Sequence, residues 1–172
     1  MKSAAVVAVI AVAVALQMTL ARFTVGGRWV FDLVLVAVVF VALRWGPTAG
    51  VVGGTIGGLL QDALGGTTVG VGGLAKTIVG FAAGVIGSQF IVTRPVPRML
   101  LVAGATVAAR VVVLALRGLI DLSWPEVSWT GMLTETALNA LVAFLVFQGA
   151  ESVPAMIRRR PLQRASFRTR RW

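Results

Sequence analysis

Six apolar stretches, each close to the length of a bilayer crossing, take up most of this 172-residue chain. A transmembrane helix needs about 20 mainly apolar residues to cross a hydrocarbon core about 30 Å thick. The stretches fall at residues 4–21, 30–43, 46–64, 71–92, 99–120 and 130–150. The expected fold is therefore an all-α integral membrane protein of six transmembrane helices. The second stretch is short, and by length alone it also fits a re-entrant or interfacial segment. Composition agrees, with 58% apolar residues, 13% charged residues and a mean hydropathy of +0.92. A soluble domain normally carries about a quarter charged residues and, at this size, has no core able to hide so much apolar surface. Lipid has to be the solvent.

The breaks between stretches are short. Arg44 and Trp45 separate the second from the third, which predicts a tight helical hairpin. Pro47 suits a first helical turn, where its missing N–H costs nothing. A Gly/Thr-rich turn, residues 65–70, joins the third and fourth stretches, and Pro95 and Pro97 are expected to break helical structure twice before the fifth. The loop at 121–129 holds Trp124, Pro125, Glu126 and Trp129, and tryptophans suit a membrane–water interface. The first stretch has Ala-x-Ala patterns at 11–15, as a signal peptide would. Its basic start is Lys2 alone, however, and the apolar run exceeds a typical signal core, so it reads as a retained helix. The organisation expected is one transmembrane domain, residues 1–157, followed by a basic tail, residues 158–172.

Charge fixes the expected orientation. The net charge of +10 would suggest nucleic acid in a soluble protein, but seven arginines lie after Met156. Beside a membrane helix such a tail sets topology and touches anionic lipid, with Arg158, Arg159 and Arg160 the expected anchors. No nucleic-acid partner is expected. If both termini share one side, that side holds Lys2, Arg44, Arg94, Arg98 and the seven tail arginines, and the other holds only Arg22, Arg28 and Arg117. Basic residues accumulate on the cytoplasmic side, so both termini are expected there.

This topology gives each polar residue a depth. Gln17, Asp32, Asp62, Lys76, Arg117 and Glu135 fall in the outer half of the membrane, with Arg110 near its middle. Ionised groups cost about 2.5–3.5 kcal/mol each inside a span, so they pair or face water. Three carboxylates and three cations at similar depth predict a polar, partly hydrated centre open to the outside. It serves either as a staple between helices or as a docking or ligand site. Gly50, Gly53 and Gly57 of the third stretch, with Gly80 and Gly84 of the fourth, are expected to pack helix on helix. Asp62 is expected to continue the same face and to pair with Lys76 across the hairpin.

Catalytic chemistry fails on inspection. The chain has no Cys and no Tyr, and no His to serve as imidazole base or metal ligand. The glycine-rich run lacks the Gly-Lys-Ser/Thr ending of a phosphate loop. No enzyme activity, no metal and no cofactor are expected.

The run Arg44-Trp45-Gly46-Pro47-Thr48-Ala49-Gly50, continuing through Gly53, Gly57 and Gly58-Leu59-Leu60-Gln61-Asp62 to Gly70, resembles the rod-shape-determining membrane protein family MreD. Asp32-Leu33 is similar to a Pro-Asp-Leu element of that family, with Phe31 in place of the proline. The resemblance implies an architecture like the S components of energy-coupling factor vitamin transporters. It also implies a bacterial inner-membrane scaffold of the cell-elongation complex that supports lateral peptidoglycan synthesis. The implied partners are MreC directly, RodA and a class B penicillin-binding protein through the complex, and the filament protein MreB. Asp32 and Asp62 are the positions that match the family's polar signatures.

Two rival readings fit parts of the sequence. One is a vitamin-uptake S component, for which the Ala4/Ala8 and Ala11/Ala15 pairs would dock a transporter partner, although the chain lacks the aromatic and donor groups of vitamin sites. The other is a channel or ion-coupled carrier. It would need a continuous polar path, and the inner halves of the spans offer only groups such as Ser88 and Gln89.

Overall fold

The shortest helix sits at the centre. In the computed structural model α2 spans Leu33–Trp45, and α1 (Lys2–Leu20), α3 (Pro47–Gly65), α4 (Val71–Gln89), α5 (Pro95–Asp121) and α6 (Trp129–Ser166) all pack against it. The structure describes residues 2–20, 31–90, 94–122 and 128–166, and the side chains among them from Ser3 to Ala150. Among these residues every regular element is a helix. The chain is a helical membrane protein. Ser3–Leu20, Val71–Gln89, Pro95–Asp121 and Trp129–Ala150 are each long and apolar enough to cross a bilayer. The α2 helix is shorter, and α3 is diluted by six glycines and by Gln61 and Asp62.

The sequence of α2 explains its place. Its first ten residues are wholly apolar, and a helix apolar all round is stable only when protein or lipid covers every side. Leu35, Val36, Val39 and Ala42 meet α4, α5 and α6 through Val79, Ala83, Val102, Ala105, Ala109, Ala143 and Phe147. Val34, Ala37, Val38 and Val41 meet Val6, Ile10, Ala13 and Val14 of α1. The other helices keep apolar side chains on the outside, among them Leu100, Leu119, Leu133 and Leu145, as lipid contact requires.

The α2–α3 hairpin closes through one residue. Gly46 adopts φ +95°, ψ −177°, a conformation that L side chains rarely take, and Pro47 follows at the start of α3. Two expected boundaries shift. The fifth helix begins at Pro95 instead of residue 99, because Pro95 and Pro97 both fall in its first turn, where backbone N–H groups have no helical partner to lose. The α6 helix does not stop near residue 150 but continues to Ser166. At 1.5 Å per residue its 38 residues rise about 57 Å, well beyond a 30 Å hydrocarbon core. The side chains of Arg158, Arg159 and Arg160 lie outside the described ones, as do residues Arg22, Arg28, Trp124, Pro125 and Glu126.

The glycines form two faces instead of one. Gly50, Gly54 and Gly58 face α4, where an added Cβ would stand 2.2 Å from Gly80 O, 2.4 Å from Lys76 O and 2.5 Å from Gly73 Cα. Gly80 and Gly84 answer from α4, the latter against Pro47. Gly53 and Gly57 turn instead toward Ile10 of α1. Backbone-to-backbone approach along a four-residue repeat gives α3 and α4 the close packing that small residues permit in lipid. A hydroxyl pair, Thr55 Oγ1 to Thr77 Oγ1 at 2.8 Å, ties the same seam.

Candidate functional site

The polar site is built around a stretch of backbone that is not helical. Residues 31 and 32 precede α2, so the Phe31 carbonyl and the first N–H groups lack helical partners, and such backbone survives at membrane depth only when protein satisfies it. Gln17 of α1 supplies two bonds: its Nε2 donates to Phe31 O at 2.9 Å and its Oε1 accepts from Leu33 N at 2.7 Å. Asn139 of α6 accepts from Asp32 N at 2.8 Å, and its Nδ2 donates to Thr106 Oγ1 of α5 at 3.2 Å. Gln17, Asn139 and Thr106 are fully buried. One clasp thus joins α1, α5 and α6 to the head of α2.

Asp32 caps α2, accepting from Leu35 N at 2.9 Å, and the same carboxylate receives Lys76 Nζ at 2.8 Å. This corrects the expected Asp62–Lys76 pair. Asp62 Oδ2 instead accepts three backbone N–H groups at the start of α4: Gly70 at 3.0 Å, Gly72 at 2.9 Å and Gly73 at 3.1 Å. The cause lies in the glycines. Gly70, the residue that caps α4, has no side chain to offer its free amides, and a Cβ on Gly72 would stand 2.3 Å from Asp62 Oδ1. A carboxylate from α3 therefore fills the N-terminal cap of α4 and meets the positive end of its dipole. Lys76, one turn further on, points its charge at α2.

The third acid pairs as well. Arg110 Nε donates to Glu135 Oε2 at 2.6 Å, and a terminal guanidinium nitrogen of Arg110 contacts the same oxygen, linking α5 to α6. The Glu135 side chain is buried, whereas that of Arg110 is 42% exposed. Arg117 is exposed. Asp32, Asp62, Lys76, Arg110, Arg117 and Glu135 all line one cavity of about 120 Å³, together with Gln61, Thr67 and Thr68 of the α3–α4 region. The six residues expected to share a depth are brought together at one place. Asn139 and Thr106 were not singled out from the sequence; the signal available was an amide and a hydroxyl alone in apolar stretches, which demands a buried partner.

Chemically, the carboxylates of this site are satisfied. Each carboxylate already holds its cation or its amides, so none is poised as a free base. What the cavity still offers a visitor is guanidinium N–H from α5, and beside it lies the buried carbonyl oxygen of Gln61.

With that geometry in place, comparison with known proteins adds one finding. The family described as rod shape-determining protein MreD matches residues 2–148, from the start of α1 to well inside α6. No curated protein and no solved structure matches the chain.

Proposed function

The chain belongs to the MreD family of rod shape-determining proteins, and on that premise we propose that it is a non-enzymatic scaffold of the bacterial cell-elongation complex. In this reading it sits in the inner membrane in an S-component-like arrangement with both termini cytoplasmic. It docks MreC at the outer mouth of the polar site and, through MreC, supports lateral peptidoglycan synthesis by RodA and a class B penicillin-binding protein. The carboxyl-terminal arginines touch anionic lipid, and MreB lies on the same side.

The observation that supports this best is the saturation of the site. Two buried acids, Asp62 and Glu135, and the half-buried Asp32 are engaged by α4 amides, by Arg110 and by Lys76, while the cavity beside them stays open to a polar group. Such a site holds helix positions and presents a fixed polar surface. It does not suit acid–base work. A cavity of about 120 Å³ also works against vitamin uptake, because small-molecule sites run to roughly 300–1,000 Å³. Ala4, Ala8, Ala11 and Ala15 form an exposed face of α1, which fits lipid as well as a partner helix.

Co-purification tests the docking. MreC should be recovered from detergent extracts with the wild-type chain, and Asp62→Leu and Lys76→Leu should each reduce that recovery. Equal recovery from all three would remove the polar site from the docking account. A carboxyl-terminal tag that protease reaches from outside intact cells would overturn the orientation.

A further inference from the structure

The three cations of the site are not equivalent. Lys76 is buried against Asp32, and Arg110 is committed to Glu135 through Nε and one terminal nitrogen. Arg117 has no ion pair among the described residues, and Asp121, one turn further along α5, does not supply one. The formal charges of the six residues balance, yet the charge that would answer Arg117 is that of Asp62, and α4 amides have taken it.

Position makes this more than a surface arginine. Arg110 and Arg117 are seven residues apart, two helical turns, so they share one stripe of α5 about 10 Å apart along its axis. Both line the cavity, and the second terminal nitrogen of Arg110 keeps its N–H groups for a visitor. On the same wall Gln61 Oε1 is buried and accepts no hydrogen bond among the described residues. A buried acceptor left unmet costs free energy, so Gln61 Oε1 gains from any N–H brought within its reach.

We infer that Arg117, with the free edge of Arg110, receives the carboxylate of an acidic side chain on the docking partner, and that Gln61 takes an N–H from the same segment. This rests on the docking reading above. A carboxylate fits a guanidinium fork with two parallel bonds. A peptide segment supplies anion and N–H donor together, whereas the phosphate of an anionic diacyl lipid supplies only the anion. The small cavity favours one side chain and its flanking backbone.

The test co-expresses the full chain with MreC and quantifies MreC recovered with wild type, Arg117→Lys, Arg117→Gln and Arg117→Glu, each checked for melting temperature. Arg117→Glu should lower recovery at least about tenfold, the loss expected for one charge-assisted hydrogen bond. Arg117→Lys should retain most of it, and replacing one acidic residue of MreC by arginine should restore the Arg117→Glu variant. If Arg117→Glu proves unstable, Arg117→Gln carries the comparison. Full recovery with the charge-altered variants, in a preparation where Asp62→Leu still loses MreC, overturns the carboxylate and leaves docking standing. Loss of MreC from the wild type itself removes both. Retention of a phospholipid by purified wild type, lost in Arg117→Glu while MreC recovery holds, assigns the arginine to a headgroup and also overturns the inference.

Discussion

Replacing Lys76 by Met separates the observed pairing from the one that sequence depth suggests. Lys76 and Asp32 stand 2.8 Å apart with side chains 8% and 15% exposed, so neither charge has water to fall back on. Removing one partner of a buried pair costs about 3–5 kcal/mol, because the other is left unmatched. Lys76→Met strands the Asp32 carboxylate, and Asp32→Asn strands the ammonium while keeping an oxygen to cap Leu35 N. The double variant strands nothing, so its loss should fall short of the sum by about 2–3 kcal/mol. Asp62 has no direct contact with Lys76, so Asp62→Asn combined with Lys76→Met should show a coupling well below that of Asp32 with Lys76. The measurement is a double-mutant cycle in mixed detergent micelles, unfolding with dodecyl sulfate and following the fluorescence of the five tryptophans. A large coupling for Asp62 with Lys76, beside additivity for Asp32 with Lys76, would refute the assignment.

Two further outcomes follow from the same geometry. Gly54→Ala drives a Cβ to 2.4 Å from the Lys76 carbonyl and should destabilise by about 1–3 kcal/mol, while Gly53→Ala, 3.4 Å from the flexible tip of Ile10, should change melting little. Equal melting temperatures for the two would dismiss the close α3–α4 seam. Gln17→Leu orphans two backbone groups at the head of α2 and Asn139→Leu orphans one, so the first should be the more damaging, at about 1–3 kcal/mol per group. The reverse order in thermal unfolding would count against the clasp.

The sequence makes the helices visible because hydropathy over about 20 residues is a strong signal. The six ionisable residues of the site were equally legible, since depth follows from position along a span. Partner choice was not. Depth leaves open which way a side chain faces around its helix, and the groups that hold Asp62 are backbone amides, which every residue carries and no residue name advertises. Gly72 was the trace of it, since a Cβ there would stand 2.3 Å from Asp62 Oδ1 and bar the carboxylate from these N–H groups. Spacings of three and four likewise suggest one glycine face, although 50, 54 and 58 point to α4 and 53 and 57 to α1. Pro95 looked like a breaker because proline interrupts a helix interior, yet at a first turn it starts one.

The unequal lengths of the hairpin arms make room for the polar site. Gly46 joins α2 and α3 at one end, but α3 has 19 residues to the 13 of α2. The difference of six residues leaves α3 standing about 9 Å taller at the far end. The head of α2 thus stops at Asp32 while α3 runs on past Asp62 to Gly65, and the cavity lined by both carboxylates lies beside that step. A short central helix thereby leaves room for six ionisable side chains to meet among protein groups instead of lipid.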